Sequence, residues 1–283
     1  MNPTINAIRA GLVRGRIELR QLMTNGTDLI GQFGTPIIAL VVLFLLRNKE
    51  YGGSELSIAE LALPSLIGTV IAFNGIFAIA NVLALDREDG TLLRAKSLPN
   101  GMIGYFVAKI TTAAASVAVQ VIVVFALGML IIGGLSLDGA GAWFTFAWVL
   151  VLGLLATLAV GAILGSIIEG SRGSFLLTMP LMALVAISGI FYPITGLPGW
   201  LQGVGQVFPV YWVGLGMRSA LLPDDAAAIE IGESWRHVET AGVLGVWAIL
   251  SLMIAPVVLR RMARHESGSS MAQRRDKAMQ RAF

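Results

Sequence analysis

The sequence has no cysteine and only two histidines, His237 and His265, among its 283 residues. Without cysteine, the chain has no disulfide framework, no thiol nucleophile and no cysteine ligand for a metal. The two histidines lie far apart in the sequence, which disfavours a catalytic histidine pair or a histidine-rich zinc site. The Gly-x-x-x-x-Gly-Lys-Ser/Thr pattern of an ATP-binding P-loop does not occur either. We therefore expect no catalytic residue, no metal and no cofactor on this chain.

Charged side chains are also scarce. Asp, Glu, Lys and Arg make up 13% of the residues, whereas hydrophobic residues make up 56%. A soluble domain has about 25% charged residues. Apolar runs of about 18 residues or more are typical of membrane-spanning helices. The sequence therefore predicts an all-α polytopic membrane protein with six spans, at residues 29–46, 58–85, 102–132, 143–168, 175–190 and 241–259.

The N-terminal segment 4–24 has the pattern of an amphipathic helix. Its apolar residues form one arc of a helical wheel, and Arg9, Arg16 and Arg20 flank that arc. This layout predicts a helix in the membrane interface, with guanidinium groups at the lipid headgroups. The alternative is an amphipathic helix packed on protein. We interpret 1–265 as one transmembrane domain, made of an amphipathic helix at 1–27 and six spans within 28–260, followed by a basic, disordered tail at 266–283.

Basic residues are distributed unevenly between the two sides of the membrane. If both termini lie on one side, that side has 16 of the 20 Lys and Arg residues, and the other side has 4. Because basic residues are concentrated in cytoplasmic segments, we expect a multi-pass protein of the plasma membrane with both termini in the cytoplasm. The loop after the second span is then cytoplasmic too.

The longest external segment, 191–240, begins with a part rich in proline, glycine and aromatic residues. That part is too apolar for a solvated loop and too interrupted for a span. It predicts short re-entrant or interfacial helices, and the alternative is a loop that only anchors the chain at the membrane. The residues that define this external element are Tyr192, Pro193, Pro198, Trp200 and Pro209.

The densest run of charge lies between the second and third spans, at 86–99. Each charge at the centre of a bilayer costs about 2.5–3.5 kcal/mol, so the chain must leave the membrane here and return. Gly90 interrupts a helix-compatible run, which predicts a bend or a close approach of another backbone, and Thr91 can cap the helix that follows. The candidate site residues are Asp86, Arg87, Glu88, Asp89, Gly90, Thr91, Leu92, Leu93 and Arg94.

Two motifs carry a resemblance to a known family. The first is formed by Arg87, Glu88, Gly90, Thr91, Leu92 and Pro99. The second, far downstream, comprises residues 188–194, 197–201, 208–209 and Arg218. With the motifs in this order and these spans around them, the sequence resembles the permeases of type-2 ABC exporters over nearly the whole chain. In that family the first motif forms a coupling helix that docks on a separate ATPase subunit.

The resemblance implies a transport subunit that is not itself an enzyme. ATP and Mg would bind to a partner ABC ATPase present in two copies, and a second permease, identical or homologous, would complete the assembly in the lipid bilayer, with no nucleic acid. Arg87 and Glu88 would contact the ATPase through charge, and Leu92 and Leu93 through apolar surface. An ordinary solvated carboxylate is the alternative for Glu88. The cargo implied is an amphiphilic drug or lipid, exported from the cytoplasm or the inner leaflet.

Few polar residues lie deep in the predicted spans. Asn74, Asn81, Gln120 and Ser188 either line a substrate path or form hydrogen bonds to neighbouring helices. Gly161 and Gly165 form a Gly-x-x-x-Gly pair that favours packing within the subunit over dimerisation.

An ion-coupled secondary transporter is a rival function for this chain. It is disfavoured because the span interiors have almost no charge. A membrane-embedded lipid-modifying enzyme is a second rival. It is disfavoured because the acidic residues of the charged run have no histidine partner.

Overall fold

The computed structural model describes residues 2–49, 57–132, 139–167, 170–192 and 194–265. These residues form helices and short 3₁₀ turns, with no β-strand among them, as the all-α prediction requires. The predicted tail at 266–283 lies outside the described residues. The helices are α1 Pro3–Thr24, α2 Gly26–Leu46, α3 Ile58–Thr69, α4 Gly75–Glu88, α5 Thr91–Lys96, α6 Gly101–Ile132, α7 Gly139–Ile167, α8 Gly170–Ile187, α9 Gly199–Val207, α10 Pro209–Leu221 and α11 His237–His265.

Five helical segments are long and apolar enough to cross a bilayer, judged by length and composition. They match the predicted first, second, third, fourth and sixth spans. The predicted fifth span falls on α8, where the described apolar helix Thr178–Ile187 is shorter. Multi-pass membrane architecture follows from these segments, which are Gly26–Leu46, Ile58–Arg87, Gly101–Ile132, Gly139–Ser166 and His237–Ala255.

The second span lies at the centre of the bundle. It is the most buried of the five segments, and it consists of α3 and α4 joined by a π-helical turn at Val70–Asn74. Close packing of α7 against α4 explains this burial. Gly161 lies so near the Ile76 carbonyl that a Cβ would come within 2.3 Å of its oxygen, and Gly165 meets Ala80 in the same way. This glycine pair therefore packs within the subunit, as predicted.

Helix α1 packs lengthwise on α6 through two small residues. A Cβ at Gly11 would lie 2.5 Å from the Gly104 carbonyl oxygen, and one at Gly15 would lie 3.0 Å from the Ala108 carbonyl oxygen. One face of the segment 4–24 therefore packs on protein, while other apolar side chains stay exposed, and the placement of this helix in the membrane interface stays a prediction. The exposed residues of this helix include Ile5, Ile8, Leu12, Arg9, Arg16 and Arg20.

The external segment forms two short helices with different surroundings. Pro198 precedes α9, on which Trp200 is 70% exposed. Pro209 begins α10, a helix that is buried at every residue except Ser219 and packs against α3, α7 and α11. Tyr192 is exposed and donates a hydrogen bond to the Ala186 carbonyl. Pro193 lies outside the described residues.

A buried ion pair joins two parts of this external segment. Arg218 Nε on α10 lies 2.7 Å from Glu230 Oε1, and the two residues are 4% and 3% exposed. Arg218 Nη1 also donates to the carbonyls of Gly189 and Ile190 just after α8. The Glu230 side chain therefore folds back onto Arg218 and is buried, although it lies in an acidic and polar part of the chain.

Candidate functional site

The charged turn between α4 and α5 is a sharp bend. Gly90 has a left-handed backbone with φ +76°, a conformation that costs a residue with a side chain about 1–2 kcal/mol. The prediction of a bend at Gly90 is therefore confirmed. Asp89, and not Thr91, caps α5, since the Asp89 carboxylate accepts a hydrogen bond of 2.8 Å from the Thr91 backbone N–H. The predicted capping role of the Thr91 side chain is wrong, because Thr91 is already the first residue of the helix.

Two charges at the end of α4 point into the bundle. Asp86 Oδ2 accepts a hydrogen bond of 2.7 Å from the Tyr105 hydroxyl and lies 3.1 Å from Lys109 Nζ. Arg87 Nη1 donates to the Ser166 carbonyl on α7, at 3.1 Å. Both residues are buried, so Arg87 is not placed for the direct contact with a partner that the sequence suggested. The side chain of Glu88 lies outside the described residues.

Helix α5 has one buried and one exposed side. Leu92 is 1% exposed and packs in the core with Ala95, so the prediction that Leu92 offers apolar surface to a partner is wrong. Leu93 is half-buried, and Leu98, just after the helix, is 63% exposed. We name the accessible side of this element the α5 surface, and its residues are Asp89, Leu93, Arg94 and Leu98.

A chain of ion pairs leads from the charged turn to α1. Lys109 Nζ on α6 lies 3.1 Å from Asp86 Oδ2 and 3.3 Å from Glu18 Oε1. Glu18 in turn pairs with Arg14 at 2.9 Å and accepts a hydrogen bond of 3.3 Å from the Thr112 hydroxyl. Lys109 therefore connects α4 to α1 across α6, and both of these ion pairs join residues far apart in the sequence.

These charges form one end of a polar cleft of about 630 Å³ between α1, α2, α4 and α6. Binding sites for small molecules are commonly about 300–1,000 Å³ in volume. Asn74, Asn81 and Gln120, three of the four predicted path-lining residues, meet in it. The other residues that line the cleft with polar or charged groups are Arg14, Glu18, Gln21, Asp28, Gln32, Asp86, Thr91, Lys109, Thr112 and Ser116.

The inner part of the cleft is a cluster of amides. Asn74 Nδ2 lies 2.6 Å from Gln120 Oε1, and Gln120 Nε2 lies 3.4 Å from Gln32 Oε1, which also accepts a bond of 3.0 Å from the Ser116 hydroxyl. Asn74 is the last residue of the π-helical turn. Because π-turns interrupt regular helices and occur frequently at functional sites, the turn marks this part of the second span as specialised.

Ser188 does not belong to the cleft. It is fully buried just after α8, and its hydroxyl donates to the Val185 carbonyl at 2.7 Å. The sequence interpretation also missed Gln32, Ser116 and Lys109 as parts of the site. For α6 a signal was present, since Lys109, Thr112, Ser116 and Gln120 recur every three or four residues and therefore share one face of the helix.

Comparison with known proteins agrees with this architecture. The model of the ABC-2 type transporter family matches residues 15–222, which include the charged turn and all of the cleft except Arg14. The chain is 24% identical over 148 residues to the probable multidrug ABC transporter permease YbhR of Escherichia coli strain K12, and equally to YbhR of strain O157:H7.

The match to YbhR covers 52% of this chain and 39% of each relative, so the chain spans well under half of the length of the curated relatives it matches. The family match is broader, since it extends over more than two thirds of the chain and includes both sequence motifs. The chain therefore belongs to the ABC-2 type transporter family, as a multi-pass membrane permease and the transmembrane component of an ABC transporter.

Proposed function

We propose that this chain is the transmembrane subunit of an ATP-driven exporter that moves an amphiphilic drug or lipid out of the cytoplasm or the inner leaflet. ATP and Mg bind to a partner ABC ATPase, two copies of which serve a pair of permeases. The observation that carries the proposal is the physical connection between the α5 surface and the polar cleft. The name of the relative YbhR, a probable multidrug ABC transporter permease, agrees with it.

The topology in this proposal has six spans with both termini in the cytoplasm. Helix α8 has 18 residues, which at 1.5 Å per residue extend about 27 Å, close to the thickness of a bilayer core of about 30 Å. Helix α10 is the re-entrant element. The ratio of 16 to 4 basic residues supports the orientation.

A cysteine placed at exposed Asp224 tests this topology. It should react with an impermeant maleimide in intact cells, and reaction only after permeabilisation would contradict this topology.

Force from the ATPase reaches the cleft through a short rigid path. The α5 surface is accessible, while Leu92 and Ala95 fix the opposite side of α5 in the core. A displacement of α5 therefore acts on α4 through the bend at Gly90. Helix α4 supplies Asp86 to the ion pairs with α6 and α1, so its movement changes the positions of three walls of the cleft relative to one another.

The permease pair is supported by the surface of α2. Only 17% of the most apolar stretch of α2 is buried inside the subunit. Ile30 and Leu45 are 75% and 71% exposed. In a permease pair this helix is shared between lipid and the second subunit.

The test is whether the α5 surface holds the ATPase. Leu98→Asp replaces an apolar side chain of that surface with a charged one, and Arg94→Glu reverses a charge. Neither variant changes a residue of the core. We expect both variants to insert normally, to retain less of a co-expressed partner ABC ATPase in co-purification, and to lose cargo-stimulated hydrolysis. Val238→Asp is the matched control, because Val238 is 83% exposed on α11, far from α5 in the sequence. Normal docking and coupling in both variants would overturn the proposal.

A further inference from the structure

The cleft has an unequal balance of charge. Two cationic residues, Arg14 and Lys109, line it together with three carboxylates, Glu18, Asp28 and Asp86. Glu18 and Asp86 are both engaged by ion pairs with these cations. The lining therefore has one net negative charge, and that charge is assigned to Asp28.

Asp28 has no partner within the part of the chain that the structure describes. It lies in the first turn of α2, half-buried, and makes no hydrogen bond or ion pair to a described residue. A carboxylate near a helix N-terminus is favoured by the helix dipole, but that interaction leaves its oxygens available. Because Asp28 lines the cleft, its free oxygens are available to a bound molecule.

Asn81, within the second span, also has a side chain with no hydrogen-bond partner among the described residues. It lines the cleft from α4, and its amide makes no hydrogen bond to a described residue, whereas the neighbouring Asn74 and Gln120 amides bond to each other. A polar group inside a span is costly unless it finds a partner. Asn81 and Asp28 are thus two lining groups inside the cleft whose polar atoms have no partner among the described residues.

The size and the walls of the cleft restrict that partner. Its volume of about 630 Å³ fits a compact drug-sized molecule and not the body of a diacyl lipid. Phe77, Ala78 and Val82 supply apolar surface to the lining, beside its polar groups. A ligand that satisfies all of these groups has a single positive charge, an apolar body and at least one group able to form a hydrogen bond.

We infer that the cleft is a binding site for compact organic monocations, with the cation beside Asp28 and the apolar body against Phe77 and Val82. This inference rests on the proposed function, since it names the chemical class of the cargo. It concerns only ligand binding by this chain, so it is testable without the ATPase and without transport.

Tetraphenylphosphonium and tetraphenylborate form a suitable pair of probes for the charge and the apolar contact, because they have nearly the same shape and opposite charge. With the full chain in nanodiscs of phosphatidylcholine, and after subtraction of empty nanodiscs, we expect saturable binding of the cation and none of the anion. Asp28→Asn should weaken binding of the cation by at least about tenfold, the loss expected for one charge-assisted interaction. Asp224→Asn, the same change at an exposed carboxylate of the external segment, should have no effect.

A second measurement does not depend on Asp28. The chain has no native cysteine, so Asn81→Cys introduces a single reactive thiol into the cleft. Tetraphenylphosphonium should slow its reaction with a maleimide, and tetraphenylborate should not. Protection by a cationic diacyl lipid in the nanodisc, in place of the soluble cation, would identify a lipid headgroup as the source of the charge.

Equal binding of both probes, or binding that Asp28→Asn leaves unchanged, would overturn the inference. In that case the ATPase could still dock on the α5 surface, and the proposed function would stand with a different cargo. Conversely, binding of the cation together with normal coupling in the Leu98→Asp and Arg94→Glu variants would overturn the proposed coupling and leave the binding site intact.

Discussion

The two groups of buried charge in this permease differ in how they are connected. Arg218 and Glu230, in the external segment, form an isolated pair enclosed by α10 and the chain around it, beside a pocket of only about 100 Å³. Lys109 and Asp86 belong to a chain of ion pairs that continues to the half-buried Glu18 and lines a much larger cleft. The external pair has one arrangement, whereas the charges of the cleft can exchange partners with each other, with water or with a ligand.

This difference separates a structural role from a functional one. Arg218 Nη2 and Glu230 Oε2 have no hydrogen-bond partner among the described residues, so loss of either residue leaves a charge that the fold cannot satisfy. In the cleft, Asp86 keeps the Tyr105 hydroxyl when Lys109 is lost, and Glu18 keeps Arg14. We therefore expect the external pair to affect stability and the cleft charges to affect activity.

The largest effect is expected at the external pair. Arg218→Leu leaves Glu230 buried without its cation, and removal of one partner of a buried pair costs about 3–5 kcal/mol. The free energy of unfolding in mixed micelles should fall by about that amount. The double variant Arg218→Leu with Glu230→Leu should recover much of the loss, since no charge is then left uncompensated. A single variant as stable as the wild type would mean that water already reaches this pair.

A smaller effect on stability is expected at the cleft. Lys109→Met removes the contact between Asp86 and Glu18, and the remaining partners limit the cost to about 1–3 kcal/mol. Coupling should suffer more than stability, because α4 and α1 are no longer joined through α6. The measurement is ATPase activity of the reconstituted complex beside the free energy of unfolding.

Arg14→Gln is the matched control for Lys109→Met. It removes an ion pair whose arginine side chain is 44% exposed, and pairs of this kind contribute about 0.3–0.5 kcal/mol. If the two variants had the same activity, the connection through Lys109 would have no functional role.

A change in stability smaller than that at the external pair, with a clear change in activity, is expected at the bend. Gly90→Val forces a β-branched residue into a left-handed conformation at a cost of about 1–2 kcal/mol, and the strain is relieved by moving α5 relative to α4. Hydrolysis stimulated by the permease should fall. Gly232→Val is the control, because Gly232 has a similar φ of +70° in the external segment and open space around it. Equal loss of activity in both variants would show that the bend at Gly90 has no special role.

Five of the six predicted spans, the N-terminal helix and the bend at Gly90 were predictable because each is a local property of the sequence. Hydrophobic length sets a span, and glycine is the residue that adopts a left-handed turn without a steric penalty. The burial of Leu92 was not predictable in this way. A helix of six residues such as α5 has too few turns to show a periodic apolar face, so only tertiary packing decides which leucine is inside.

The pairing of the buried charges was not predictable, because it depends on contacts between distant parts of the chain. Asp86 meets Lys109 only after α6 has turned back along α4, and Arg218 meets Glu230 only after the external segment has folded over α10. The polar face of α6 was the exception, since its spacing alone places Lys109, Thr112, Ser116 and Gln120 on one side of the helix.

The central claim is that the α5 surface and the cleft are physically coupled. The reaction rate of a maleimide with the Asn81→Cys thiol reports directly on the cleft. In nanodiscs containing the permease and its ATPase, we predict that this rate differs between the nucleotide-free and the ATP-bound complex, and that Leu98→Asp abolishes the difference while Val238→Asp preserves it. A reaction rate that is the same in both nucleotide states, with the ATPase demonstrably bound, would contradict the account.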